Sequence, residues 1–109
     1  MKLGIASYLS QCTILRCSTN HLMIGDVQLL GGISLSRQEM GDNEWIHSTG
    51  SGFLIRLNAV SNPLLMLKNF GLSKPARRLI ANHIKTQDIE LIHFAAEFDV
   101  LSEFPVFDW

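Results

Sequence analysis

Lysine and arginine are missing from the last 24 residues of this chain. None follows Lys85, although Asp88, Glu90, Glu97, Asp99, Glu103 and Asp108 do. Before that point nine cations are offset by only Asp26, Glu39, Asp42 and Glu44. The net charge of −1 therefore conceals a basic body and an acidic end. Such a division favours the end lying on the body, with an external basic partner as the competing arrangement. No apolar run approaches the twenty or so residues of a membrane span, and MKLGIASYLSQ is too short and too weakly charged for a signal peptide. The expectation is a cytoplasmic protein with no membrane partner. At 109 residues, 47% apolar and 17% charged, the chain reads as one globular domain over 1–109. Residues 97–109 form its acidic aromatic tail.

Chemistry-bearing patterns are equally sparse. His21, His47, His83 and His93 fall into no H-x-x-x-H spacing, and Cys12 and Cys17 form no CxxC, so no metal is expected. Five residues of strand hold the two thiols about 16 Å apart, too far for a disulfide, and they read as reduced core side chains. Gly50-Ser51-Gly52 is too short for a phosphate loop and leads into a strand, which suits a hairpin better than a nucleophile turn. Ser18, Thr19 and His21 can be drawn as a nucleophile and base, but helix capping explains them with less. Paired carboxylates on a common element are lacking. The expectation is a protein with no catalytic residues and no cofactor.

Alternation and periodicity supply the architecture. Residues 12–18 read as a strand with Thr13, Leu15 and Cys17 on one face and Ile14, Arg16 and Ser18 on the other. Met23, Val27 and Leu30 then mark a helix with Asp26 and Gln28 outward, ended by Gly31-Gly32, and SRQEMGDNE reads as a loop. Residues 44–49 and 52–58 form a hairpin. The stretch LLMLKNFG reads as a helical turn or packed loop. A second helix begins near Ser73 with Ala76, Leu79, Ile80, His83 and Ile84 on one stripe, and ELIHFAA is the last strand. This order predicts an α+β, ferredoxin-like βαββαβ fold, a four-stranded antiparallel sheet with two helices on one face.

In that fold the first and third strands are neighbours, so Arg16 and Arg56 stand together on the open face, joined by His93. Three arrangements cover that face. The tail can fold back with Phe104, Phe107 and Trp109 buried and Asp99, Glu103 or Asp108 near the arginines. Two half-apolar faces can pair as a homodimer. Single-stranded nucleic acid can bind through Arg16, Arg56 and His93, an expectation weakened by the lack of aromatic stacking platforms there.

Three short stretches, CSTNHL over Cys17–Leu22, GFLIRL over Gly52–Leu57 and FPVFDW over Phe104–Trp109, together carry a resemblance. They resemble a family of small uncharacterised bacterial proteins of plasmids and integrated elements, with S-T-x-H opening a helix and P-x-F-D-W closing the chain. The likeness runs from Cys12 onward; residues 1–11 and NPLLMLKNFG depart from it. It implies no activity, cofactor or catalytic residue. It implies a mobile-element accessory protein that binds a host protein or complex, such as an anti-CRISPR or anti-restriction inhibitor. The expected contact residues are Asp99, Glu103, Asp108 and Trp109 in the tail and Glu39, Asp42 and Glu44 in the Arg37–Glu44 loop.

Overall fold

A computed structural model describes residues 13–40 and 45–109, with side chains left aside for 36–40. Strand β1 (Ile14–Ser18) leads through a 3₁₀ turn (Thr19–His21) into helix α1 (Ile24–Met40). The hairpin β2 (Ile46–Ser48) and β3 (Gly52–Arg56) follows, then a 3₁₀ turn at Leu57–Ala59. Helices α2 (Pro63–Phe70) and α3 (Lys74–Gln87) precede β4 (Leu91–Ala95). The fold is a small α+β domain of one four-stranded mixed sheet and three helices.

The sheet order is β1-β4-β3-β2, with β1 and β4 parallel and the other pairs antiparallel. This corrects the ferredoxin-like expectation, and the cause is NPLLMLKNFG. Pro63 sits in the first turn of α2, where a missing N–H costs nothing. Gly71, at φ 105°, ends that helix: its N–H meets the Leu67 and Lys68 carbonyls, and the Leu72 N–H meets Leu67. One helix after β3 would return the chain to the start of that strand and make β4 parallel to it. Two helices packed on each other leave the chain at the end where β3 finished. β4 therefore runs back antiparallel beside β3 and takes the central position expected for β1. Its pattern suits that place, since Leu91, Ile92, Phe94 and Ala95 are buried on both faces.

Helix α1 also departs from expectation. It passes through Gly31-Gly32 and takes in Ser36–Met40, so that part of the expected loop is helical. Each glycine costs about 1 kcal/mol relative to alanine, yet buried Leu30 and Ser34 and half-buried Leu29 and Ile33 flank the pair with core contacts. Asp26, expected to face outward, is 3% exposed. Its carboxylate accepts the Met23 N–H at 3.0 Å, closing the first turn of α1, and the Ser73 N–H and Oγ–H at 2.8 and 2.6 Å. Ser73 in turn caps α3 by accepting from the Ala76 N–H. A single buried carboxylate thus fixes the starts of two helices.

The core lies where the helices meet the sheet face bearing Cys17, Ile46, Phe53, Ile55, Ile92 and Phe94, joined by Leu22, Leu30, Leu67, Leu79 and Ile80. Cys17 is a free thiol there, pushed up to about 12 by burial and so inert. Cys12 lies outside the described residues. Gly52 opens β3 opposite Ala95, and a Cβ at Gly52 would fall onto the Phe94 carbonyl. Gly52→Ala is therefore expected to cost about 3 kcal/mol, the upper range for overpacking, because backbone cannot step aside as a side chain would. Urea unfolding of the variant measures it; a loss below about 1 kcal/mol would show that the two central strands are looser than this contact implies.

Candidate functional site

After β4 the chain turns at Ala96–Phe98 and runs back beside residues 18–22. The Ser18 N–H donates to the Asp99 carbonyl at 3.0 Å, and the Phe107 N–H to the Asn20 carbonyl at 2.7 Å. The Trp109 indole N–H donates to the Leu22 carbonyl at 2.8 Å. His21, 1% exposed, makes the central contact. Its Nε2 accepts the Leu101 N–H at 2.7 Å, so the ring proton is on Nδ1, 2.8 Å from the Pro105 carbonyl it donates to. The neutral Nδ1–H imidazole is the form that satisfies both partners. Residues 99–109 form a strap held by backbone polarity.

Local sequence explains the receiving end. Ser18 accepts the Asn20 N–H and caps a 3₁₀ turn, not the long helix expected to start there. That one turn leaves the Asn20 and Leu22 carbonyls available outside a helix, and the strap uses both. Leu101 and Phe104 pack on the core, with the Phe104 ring 5.2 Å from that of His83.

The strap does not follow its expected path across Arg16 and Arg56. Phe104 and Phe107 are half-buried and Trp109 is 54% exposed, so the three rings are not the buried anchors foreseen. Hydrogen bonds to His21 and to two carbonyls choose the path instead. Asp99, Glu103 and Asp108 are all exposed along the strap, interleaved with exposed Val100, Val106 and Trp109. Trp109 borders a cavity of about 350 Å³ with Met23, Ile24 and Phe107, and a second of about 420 Å³ against the β2–β3 turn. The structure thus brings Asp99, Glu103, Asp108 and Trp109 onto one element. Asp42 and Glu44 lie outside the described residues; Glu39 is in the last turn of α1, its side chain likewise outside.

The three residues of the sheet face are only partly gathered. Arg16 and His93 are register partners on β1 and β4, and Leu54 and His47 continue their row. Arg56 is not beside Arg16, as expected, because β4 separates their strands. Phe98 meets His93 edge-on at 5.0 Å. Burial, then the positive charge of Arg16, hold His93 below the ordinary imidazole range, with Glu97 pulling weakly the other way. Its Nε2 is buried without a partner.

A second charged feature escaped sequence reading. Lys68 on α2 and Lys74, Arg77 and Arg78 on α3 rim a cavity of about 380 Å³. The signal was present as i, i+3, i+4 spacing on α3, but Lys68 lay in a stretch not read as a full helix. Among the described residues no group of three or more His, Cys, Asp or Glu side chains is placed to hold a metal ion, and no helix is long and apolar enough to cross a membrane.

The family model that matches the chain, over residues 14–109, is the C-terminal domain of a family of unknown function, DUF5983. No curated protein and no solved structure matches it.

Two outcomes follow from His21 and His93. His21→Ala strands a buried N–H and a carbonyl at once and should cost roughly 3 kcal/mol in urea unfolding, little altered by salt. Asn or Gln at position 21 restores one bond and should recover part of the loss; no recovery would assign the effect to lost packing alone. His93 binds its proton less readily folded than unfolded. Stability is therefore full above pH about 6.5, declines as the unfolded histidine protonates, and levels off below the lowered value of the folded one. Arg16→Gln should raise the His93 midpoint in an NMR titration and shrink that acid loss; an unmoved midpoint would remove Arg16 as a cause.

Proposed function

The chain belongs to the DUF5983 family through its C-terminal domain, and on that footing we propose that it is a non-enzymatic accessory protein that works by binding another protein. The strap carries the reading: three exposed carboxylates alternate with three exposed apolar side chains on a segment fixed from behind. A segment ordered in advance loses little entropy on binding. Its carboxylates suit a basic partner and would speed encounter more than they deepen affinity, while Trp109 and Val106 supply the apolar contact.

The partner class follows the resemblance to plasmid and integrated-element proteins. The protein acts in the bacterial cytoplasm on a host defence complex, of CRISPR or restriction type, whose nucleic-acid channel presents the basic surface that the strap fits. This assignment of partner rests on analogy of context, and the binding mode on the chemistry of the strap. Single-stranded nucleic acid is the weaker reading of the two. On the sheet face that would serve it, His93 already meets Phe98, and Leu54 and His47 complete the row beside Arg16.

Expressed in bacteria with an active CRISPR or restriction system, the chain should raise phage plating efficiency. The purified chain should capture a component of that system from the same lysate. Asp99→Lys/Glu103→Lys/Asp108→Lys should abolish both while leaving the melting temperature within a few degrees, since all three side chains are exposed. Equal protection or equal capture by the variant would eliminate the strap as the contact surface. Failure of the wild type in both assays would eliminate the anti-defence reading.

A further inference from the structure

We propose that two copies of this chain pair reciprocally, the acidic strap of each seated in the basic groove between α2 and α3 of the other. The groove's floor is aliphatic, made by Leu64, Leu65 and Ala81, and Leu65 is 50% exposed. Its rim is Lys68, Lys74, Arg77 and Arg78. On α3 these rim residues lie next to the buried stripe of Ala76, Leu79, Ile80 and His83, so packing of the stripe fixes where the charges point. Arg77 is also tied down, its Nε–H donating to the Leu72 carbonyl at 3.0 Å. The rest of its guanidinium is left pre-oriented for a carboxylate.

None of the four cations has a carboxylate within ion-pair distance among the described residues. Among the described residues, likewise, no ion pair joins Asp99, Glu103 or Asp108 to Arg16 or to the groove. One chain thus displays two surfaces of opposite sign, each mixing charge with exposed aliphatic side chains, and contacts among the described residues neutralise neither. The net charge of −1 leaves little general repulsion between copies. Strap and groove border the same helix, since Phe104 stacks on His83 of α3. A two-fold axis therefore makes both strap–groove contacts at once and closes the assembly at two. The second contact forms intramolecularly once the first is made. Nucleic acid fits the groove less well, because its lining offers no aromatic ring for a base to stack on. The pairing draws on the same strap as the proposed function but needs no host protein, so the two can fail separately.

Sedimentation of the purified chain tests it. Across a concentration series the mass should rise towards the dimer in about 0.01 M salt and return to the monomer in about 1 M, where the screening length falls to roughly 3 Å. Lys68→Glu/Lys74→Glu/Arg78→Glu leaves Arg77 as the groove's one rim cation and gives a chain with acidic groove and acidic strap; Asp99→Lys/Glu103→Lys/Asp108→Lys gives one basic at both. Each alone should stay monomeric, and an equimolar mixture should form a heterodimer, because both contacts are then complementary again. Should a variant not fold, dilution of the wild type followed by NMR must move strap and groove resonances together, and movement of neither overturns the pairing. A wild type monomeric at every low-salt concentration overturns it, as does a dimer indifferent to both reversals or a mixture that does not associate. A fluorescent single-stranded oligonucleotide bound by a monomeric wild type, and lost with Lys68→Glu/Lys74→Glu/Arg78→Glu, would assign the groove to nucleic acid instead.

Discussion

One imidazole ring holds the two ends of the described chain in register. His21 lies three residues beyond β1, and Leu101 and Pro105 lie well past β4, yet both meet its nitrogens within 2.8 Å. A neutral histidine is suited to this task because it presents one donor and one acceptor on opposite sides of a flat ring. Serine or asparagine has the same chemistry in a shorter reach, and lysine or arginine only donates. Fixing those two backbone groups sets where Phe107 and Trp109 arrive, and with them the orientation of everything exposed on the strap. The S-T-x-H and P-x-F-D-W segments are thus two halves of one contact. Ser18 shapes the turn, His21 reads the far segment, and Asn20 and Leu22 lend their carbonyls.

Asp26 performs a related task in the first turn of α1, where a carboxylate accepts from the beginnings of two helices. Burying a charge is costly unless several donors surround it, and three do so here. Together the two residues show a division of labour. Apolar area supplies most of the cohesion, while a few buried polar groups decide which arrangement of the elements is adopted.

Sequence patterns revealed most individual elements and misplaced their arrangement. The stripe over Ala76–His83 and the alternation in GFLIR and LIHFA were visible because burial imposes a period on side-chain type. Helix α2 was underread because eight residues, mostly apolar, show no polar face from which to judge a period. That single omission changed the parity of the connection after β3, and with it the strand order and the position of β4. Gly31-Gly32 misled for a different reason: propensity marks a local cost, and flanking core contacts over the whole helix outweighed it. Asp26 looked solvent-facing because its partner Ser73 lies 47 residues away. The strap's acidic residues were legible from composition. Its path was not, since backbone hydrogen bonds leave no compositional trace. The basic groove became recognisable only when α2 and α3 were placed side by side.

The position of β4 sets an order of events for a chain emerging from a ribosome. β1 is made first of the described strands, but its hydrogen-bonding neighbour among them comes some seventy residues later. Until Leu91–Ala95 has appeared, β1 is an unpaired strand, and the β2–β3 hairpin offers one of its edges to any extended segment nearby. Closing a loop of that length before any reward arrives makes such pairing slow. A nascent or heat-opened molecule therefore presents two complementary open edges at once, and the missing central strand can as readily be donated by a neighbouring chain. Strand exchange of β4 is the misassembly to which this topology is most exposed.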